Sequence, residues 1–189
     1  MYMYVVASVY GVTQLDHMLY VVTEKSSIIR TLSADTLNLL GIIYVEGMTE
    51  PRDIVVCRPD RQLYVADKDC CIWRVSADDH SDQEKWLPTE STTDTFHVWT
   101  LSVTSRGLLV TSSVDPPSLR EYSMADRQLL RVVKLPGFMK YPRHGVETTR
   151  GTFVVGHQGT SQNNWQTAVS CISIVHYYNG RTIGTLVLV

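Results

Sequence analysis

The sequence predicts an all-β protein assembled from a repeated unit, and three observations carry that prediction. Four lookalike apolar cores follow one another: Leu19-Tyr20-Val21-Val22, Leu63-Tyr64-Val65-Ala66, Leu108-Leu109-Val110-Thr111 and Thr152-Phe153-Val154-Val155. Their first residues stand 44, 45 and 44 positions apart, a period typical of repeat architectures. Each core is flanked by further short apolar runs, one upstream and two downstream. The runs are rich in Val, Ile, Thr and Tyr, which suit a pleated, half-buried surface, and no stretch keeps a 3.6-residue apolar period over three turns. Four short strands in a unit of about 44 residues make the blade of a β-propeller, whose sheets bury their faces against one another.

The first strand of each blade is announced by Gly11-Val12, Ile54-Val55-Val56, Leu101 to Val103, and Val146. The core is the second strand. The third begins at Ile28-Ile29-Arg30, Ile72-Trp73-Arg74 and Leu119-Arg120-Glu121. Turns follow at Ser33-Ala34-Asp35, Ser76-Ala77-Asp78 and Ser123-Met124-Ala125-Asp126, where Ser and Asp can bond their own backbone and close a bend. Leu39 to Ile43, Trp86-Leu87 and Leu129 to Val133 form the fourth strands. The blades then span 7–48, 49–95, 96–140 and 141–189 of a single propeller domain.

One repeat resembles a known family. Pro51-Arg52-Asp53-Ile54-Val55-Val56, then Arg61-Gln62-Leu63-Tyr64-Val65-Ala66-Asp67, then Ile72-Trp73-Arg74-Val75, is similar to an NHL-type propeller repeat. That resemblance covers about residues 9–156, strongest in the second repeat and weakest in the fourth. It implies a six-bladed class of propeller. It also implies a protein-interaction module of the kind found in regulatory and ubiquitin-ligase chains. Some NHL-type domains bind RNA, and some six-bladed relatives are metal-dependent lactonases or esterases with their site at the propeller axis.

Six blades would need roughly 260 residues at this period, and the chain has 189. Three arrangements are therefore open: part of a larger propeller, a closed four-bladed ring, or an open arc completed by another chain. Met1 to Val6 already reads as strand, and Thr182 to Val189 ends in an apolar run. Uncovered terminal blades predict self-association through their edges. With 17 basic and 19 acidic residues, the charge is nearly balanced. No apolar stretch approaches a membrane span, no N-glycosylation sequon is present, and the first residues lack the basic and then apolar pattern expected of a signal peptide, which carries little weight for part of a larger propeller. Cys57, Cys70, Cys71 and Cys171 show no metal-type pairing and read as buried thiols in a reducing, cytoplasmic setting.

No zinc-hydrolase spacing, nucleophile elbow, P-loop or dinucleotide motif occurs. For a metal at the axis the available ligands would be Asp53, His144 and Glu147, which otherwise read as unrelated polar residues at strand ends. No cofactor is expected. The densest basic group is Arg120, Arg127, Arg131 and Lys134, then Lys140 and Arg143. Arg120, Arg131 and Lys134 read as solvent-facing, and Glu121 and Asp126 dilute the group. That disfavours nucleic acid, which needs a basic face.

Protein or peptide recognition remains. The loops entering the innermost strands bring Arg52, His97-Val98-Trp99 and Arg143-His144 toward one face. Asp67 is expected to cap its loop structurally. The repeat also breaks in blade four: 8 residues lead from Tyr64 to Ile72, but 19 from Phe153 to Ile172. The extra stretch, Gly156 to Gln166, is polar with one Trp, and insertions in repeats often fall on the binding face. The candidate contact residues are Trp165, His157, Gln158, Asn164, Arg52, Trp99, Arg143 and His144.

Overall fold

A computed structural model describes residues 8–68, 71–87, 97–112, 116–158, 170–176 and 182–188. Sixteen strands form four antiparallel sheets of four strands each, and the described residues contain no helix, hence none able to cross a membrane. The first sheet holds β1 (Val9–Leu15), β2 (Met18–Thr23), β3 (Ile28–Ser33) and β4 (Leu39–Tyr44). The second holds β5 (Pro51–Cys57), β6 (Gln62–Asp67), β7 (Ile72–Ser76) and β8 (Gln83–Leu87). The third holds β9 (Val98–Val103), β10 (Leu108–Ser112), β11 (Ser118–Tyr122) and β12 (Leu129–Lys134). The fourth holds β13 (Lys140–Glu147), β14 (Thr152–Gln158), β15 (Ser170–His176) and β16 (Thr182–Leu188). In every sheet the strands lie in sequence order, the meander of a propeller blade.

The chain divides into two compact units, Met1–Thr89 and Glu90–Val189, each containing two blades. In the first unit the blades share one core. Leu15, Tyr20, Val22, Ile29 and Ile43 of the first blade meet Ile54, Leu63, Val65, Trp73 and Val75 of the second. Each such side chain, fully buried, contributes about 1.5–3 kcal/mol. The inner strands β1 and β5 approach so closely that a Cβ at Gly11 would sit 2.8 Å from the backbone nitrogen of Ile54. No side chain other than glycine's hydrogen fits there.

In the second unit Leu109, Leu119 and Val133 of the third blade pack on Phe153, Val155 and Val175 of the fourth. This corrects the phase of the last repeat. Phe153, not Thr152, takes the place of Leu63: both face the preceding blade, and the core positions fall 44, 45 and 45 residues apart. A one-residue slip exchanges the two faces of a strand, and the register confirms it. Gly145 pairs with Val155, and a Cβ at Gly145 would lie 3.0 Å from Leu119 Cδ2.

The far face of the first blade is apolar and exposed. Val12, Val21, Arg30 and Ile42 form one row across all four strands. On the outermost strand Leu40 is 58% exposed, Ile42 61% and Tyr44 60%.

Two predictions come from this packing. Val65 is fully buried between the first two blades, so Val65→Asp should cost more than about 4 kcal/mol and abolish the cooperative melt of the first unit. A melt like the parent's would refute that placement. The exposed apolar side chains on that face of the first blade predict concentration-dependent self-association, measured by sedimentation. Ile42→Lys should reduce it without lowering the melting temperature. A parent that stays monomeric at every concentration would show that this face does not self-associate.

Candidate functional site

In the second blade the end of β6 is closed by Asp67, as a structural cap. Its carboxylate accepts from the backbone N–H groups of Thr49 at 3.0 Å, Glu50 at 2.7 Å and Lys68 at 2.9 Å. It also accepts from the Trp73 indole at 3.2 Å. The side chain is buried, and its oxygens satisfy several of the donors at this strand end, the Lys68 N–H also reaching the Glu50 carbonyl at 3.1 Å. Just outside it, Glu50 takes Arg52 at 3.0 Å and Lys68 at 2.7 Å. The Lys68 hydrogen bond holds the Glu50 carboxyl below its usual range. Arg52 is thereby half-buried in a local ion cluster.

The second unit brings several of the sequence-predicted residues together. Its inner strands β9 and β13 run side by side and are tied at three levels. Arg143 lies over the Trp99 ring, 5.1 Å from the centroid. Ser102 Oγ donates to the Gly145 carbonyl at 2.6 Å. Ser105 donates to Glu147 from its backbone at 3.3 Å and its hydroxyl at 3.1 Å.

Above the first tie β13 is irregular. Lys140 pairs with Gln158 and His144 with Gly156, so Tyr141, Pro142 and Arg143 oppose His157 alone. Tyr141 sits at φ 46°, in the left-handed region costly for a bulky residue. Bulges re-aim side chains next to functional sites. Here the bulge presents Tyr141, 48% exposed, and Arg143, also exposed. Proline in a sheet is confined to edges and bulges, so Pro142 was the sequence signal for this feature. Tyr141 is the residue that the sequence reading missed, and Lys140 entered it only as a member of the basic group.

His157 and Gln158 lie at the end of β14, which extends through them rather than ending in a loop at Gly156. His157 is buried, with Nε2 2.8 Å from Ser173 Oγ and Nδ1 3.0 Å from the Gln158 carbonyl. The Phe138 ring meets it edge-on at 6.1 Å. Gln158 is half-buried and His144 exposed. Asn164 and Trp165 lie outside the described residues.

Between the blades of this unit stands a buried ion triad. Arg131 donates from Nε to Glu121 at 2.6 Å and from Nη2 to Glu147 at 2.7 Å. Thr104 also donates to Glu121. Glu121 is 0% exposed and Arg131 7%. The guanidinium also lies 4.8 Å from the centre of the Phe153 ring. Arg131 therefore does not face solvent, as its strand position suggested. Glu121 and Arg131 are register partners on β11 and β12, and both turn toward the fourth blade. A buried charge is tolerated only when paired and hydrogen-bonded.

Of the three residues named for a metal, Asp53 belongs to the first unit and His144 and Glu147 to the second. Asp53 Oδ1 accepts from the Ile54 N–H at 2.9 Å in the first unit. His144 and Glu147, three apart on a regular stretch of β13, point to opposite faces. Among the described residues no group of three or more His, Cys, Asp or Glu could hold a metal ion. Cys57, Cys71 and Cys171 are buried.

No family model and no curated protein matches the chain. Among solved structures it is similar to the β-propeller protein hydrazine synthase of Kuenenia stuttgartiensis, with a TM-score of 0.71 and 13% identity. The match covers 96% of this chain and 49% of that one, so the chain spans about half the length of the structure it matches. The likeness establishes the fold class, a β-propeller.

The triad generates a pH prediction. Burial pushes the Glu147 carboxyl up, but hydrogen bonds from Arg131 and Ser105 outweigh it and leave it below its usual value of 4.5. A depressed carboxyl stabilises the fold above its unfolded-state value, and the contribution is lost as pH falls through the lower folded value. Melting temperature should therefore drop on acidification below about pH 4.5. Glu147→Gln should be less stable at neutral pH and should flatten that acid limb. An unchanged limb would assign it to other carboxylates.

Proposed function

We propose that this chain is a non-catalytic β-propeller scaffold that binds a protein or peptide partner, as the NHL-type resemblance suggests. The observation that carries the proposal is the bulge of β13, which exposes Tyr141, at a strained φ, and Arg143, the latter over Trp99. Backbone strain persists where function uses it. Trp, Tyr and Arg are the residues that dominate binding energy at protein interfaces. His144 and Gln158 flank the bulge, and His157 stands opposite it as an internal strut.

The competing enzyme reading needs a carboxylate at the axis, and Glu147 is instead engaged by Arg131 and Ser105. RNA binding needs a larger basic face. Arg131, counted toward that face from sequence, is turned inward to Glu121 and Glu147.

Cross-linking with mass spectrometry, using the intact chain as bait, tests the proposal. Partner cross-links should map to 97–99 and 140–144. Arg143→Ala should weaken capture of the same partner about tenfold with little change in melting temperature. Cross-links confined to other surfaces, or undiminished capture by this variant, would overturn the proposed site.

A further inference from the structure

We infer that the Trp99–Arg143 end of the second unit recognises an acidic linear peptide, with a Glu or Asp carboxylate seated on Arg143 and Lys140. This rests on the protein-binding role proposed above and names the chemistry of the partner.

The charge pattern supplies the argument. From Leu135 to Val146 the chain has no acidic residue, while Lys140 and Arg143 are both cationic. The next carboxylate, Glu147, is consumed by Arg131 on the inward side. Among the described residues neither Arg143 nor Lys140 has a side-chain ion pair, and the contact made by Arg143 is to the Trp99 ring. By contrast, Arg52, Arg61, Arg74 and Arg131 all meet carboxylates. A guanidinium held by an aromatic ring is preorganised, and its N–H fork matches a carboxylate in two parallel bonds. The cost of ordering the arginine is then met before the ligand arrives.

The surroundings select the rest of the ligand. Tyr141 and Phe138 are exposed large rings close in sequence to the cations. They offer apolar contact to side chains beside the acidic one. Tyr141, Pro142 and Arg143 lie outside the regular pairing of β13 with β14, which sets their side chains apart from the ladder. Two cations are too few for a polynucleotide, whose affinity rests on many phosphate contacts, and the chain as a whole is net negative at −2.

Fluorescence anisotropy with short synthetic peptides on the intact protein tests this. One peptide set alternates Glu with Leu or Tyr; a second replaces Glu by Gln; a third replaces it by phosphoserine; a fourth probe is single-stranded oligouridine. The acidic set should bind, weaken with added salt, and lose about tenfold in affinity in either Arg143→Gln or Lys140→Gln. Arg150→Gln, which removes an equal charge at the Thr148–Gly151 turn, should bind like the parent. Equal binding of the Gln peptides would overturn the carboxylate assignment while leaving a peptide site in place. Preference for phosphoserine or oligouridine would overturn it in favour of phosphate. Failure of every probe, with cross-links still mapping to 140–144, would overturn the acidic-peptide inference alone; absence of those cross-links would instead remove the underlying function.

Discussion

A four-stranded sheet has two faces, and the blades carry apolar side chains on them, with no helix among the described residues to cover either. Only another sheet can bury them. That requirement makes the blade pair, rather than the single blade, the unit that can be stable. In the first unit it draws Leu15, Tyr20 and Val22 onto Ile54, Leu63 and Val65. In the second it draws Leu109 and Leu119 onto Phe153 and Val155. The inner strands β1 and β5 then come almost into backbone contact, so glycine occupies position 11, while a Cβ at Gly145 would press on the Leu119 side chain.

Stacking alone is tolerant of sliding, because apolar contacts are not directional. The polar elements between and beside the sheets supply direction. Asp67 binds three backbone N–H groups around the entry to β5 and so ties one end of the second blade. Glu121, Arg131 and Glu147 connect the third blade to the fourth through bonds that demand particular distances and angles. Replacing such a buried triad by apolar side chains can be neutral for stability. Its consequence here is to set which part of β13 lies level with β9.

That setting reaches the proposed binding site. With Glu147 held by Arg131 and Ser105, and Gly145 by Ser102, the next level of β13 places Arg143 against Trp99. Beyond that level the ladder with β14 is broken by the bulge, and His157 turns inward to Ser173 instead of outward to solvent. The side chains of the proposed site thus rest on the inner strands of two blades, with polar ties beside them.

Much of this was legible in the amino-acid order because it depends on local chemistry. The 44- to 45-residue spacing, the alternation within short runs and the Ser/Asp turns specify sixteen strands in four meanders without reference to any distant residue. Asp67 at the end of Leu-Tyr-Val-Ala-Asp read correctly as a cap. Trp99, Arg143 and His144, part of the proposed site, could be named from sequence because they enter inner strands. What escaped depended on which face a residue turns and what meets it there. Thr152 and Phe153 are both acceptable at the start of a strand, and only packing against Leu109 and Leu119 decides between them. Arg131 alternates like a surface residue until Glu121 and Glu147 are brought to it from other strands. The bulge that exposes Tyr141 has a sequence mark in Pro142, yet its position follows from the register of β13 against both neighbours. Sequence alone determined the strands and their order, because strand propensity and turn chemistry act over a few residues. Tertiary structure decided the faces, the buried charges and the geometry of the site, because each of those is a contact between residues far apart in the chain.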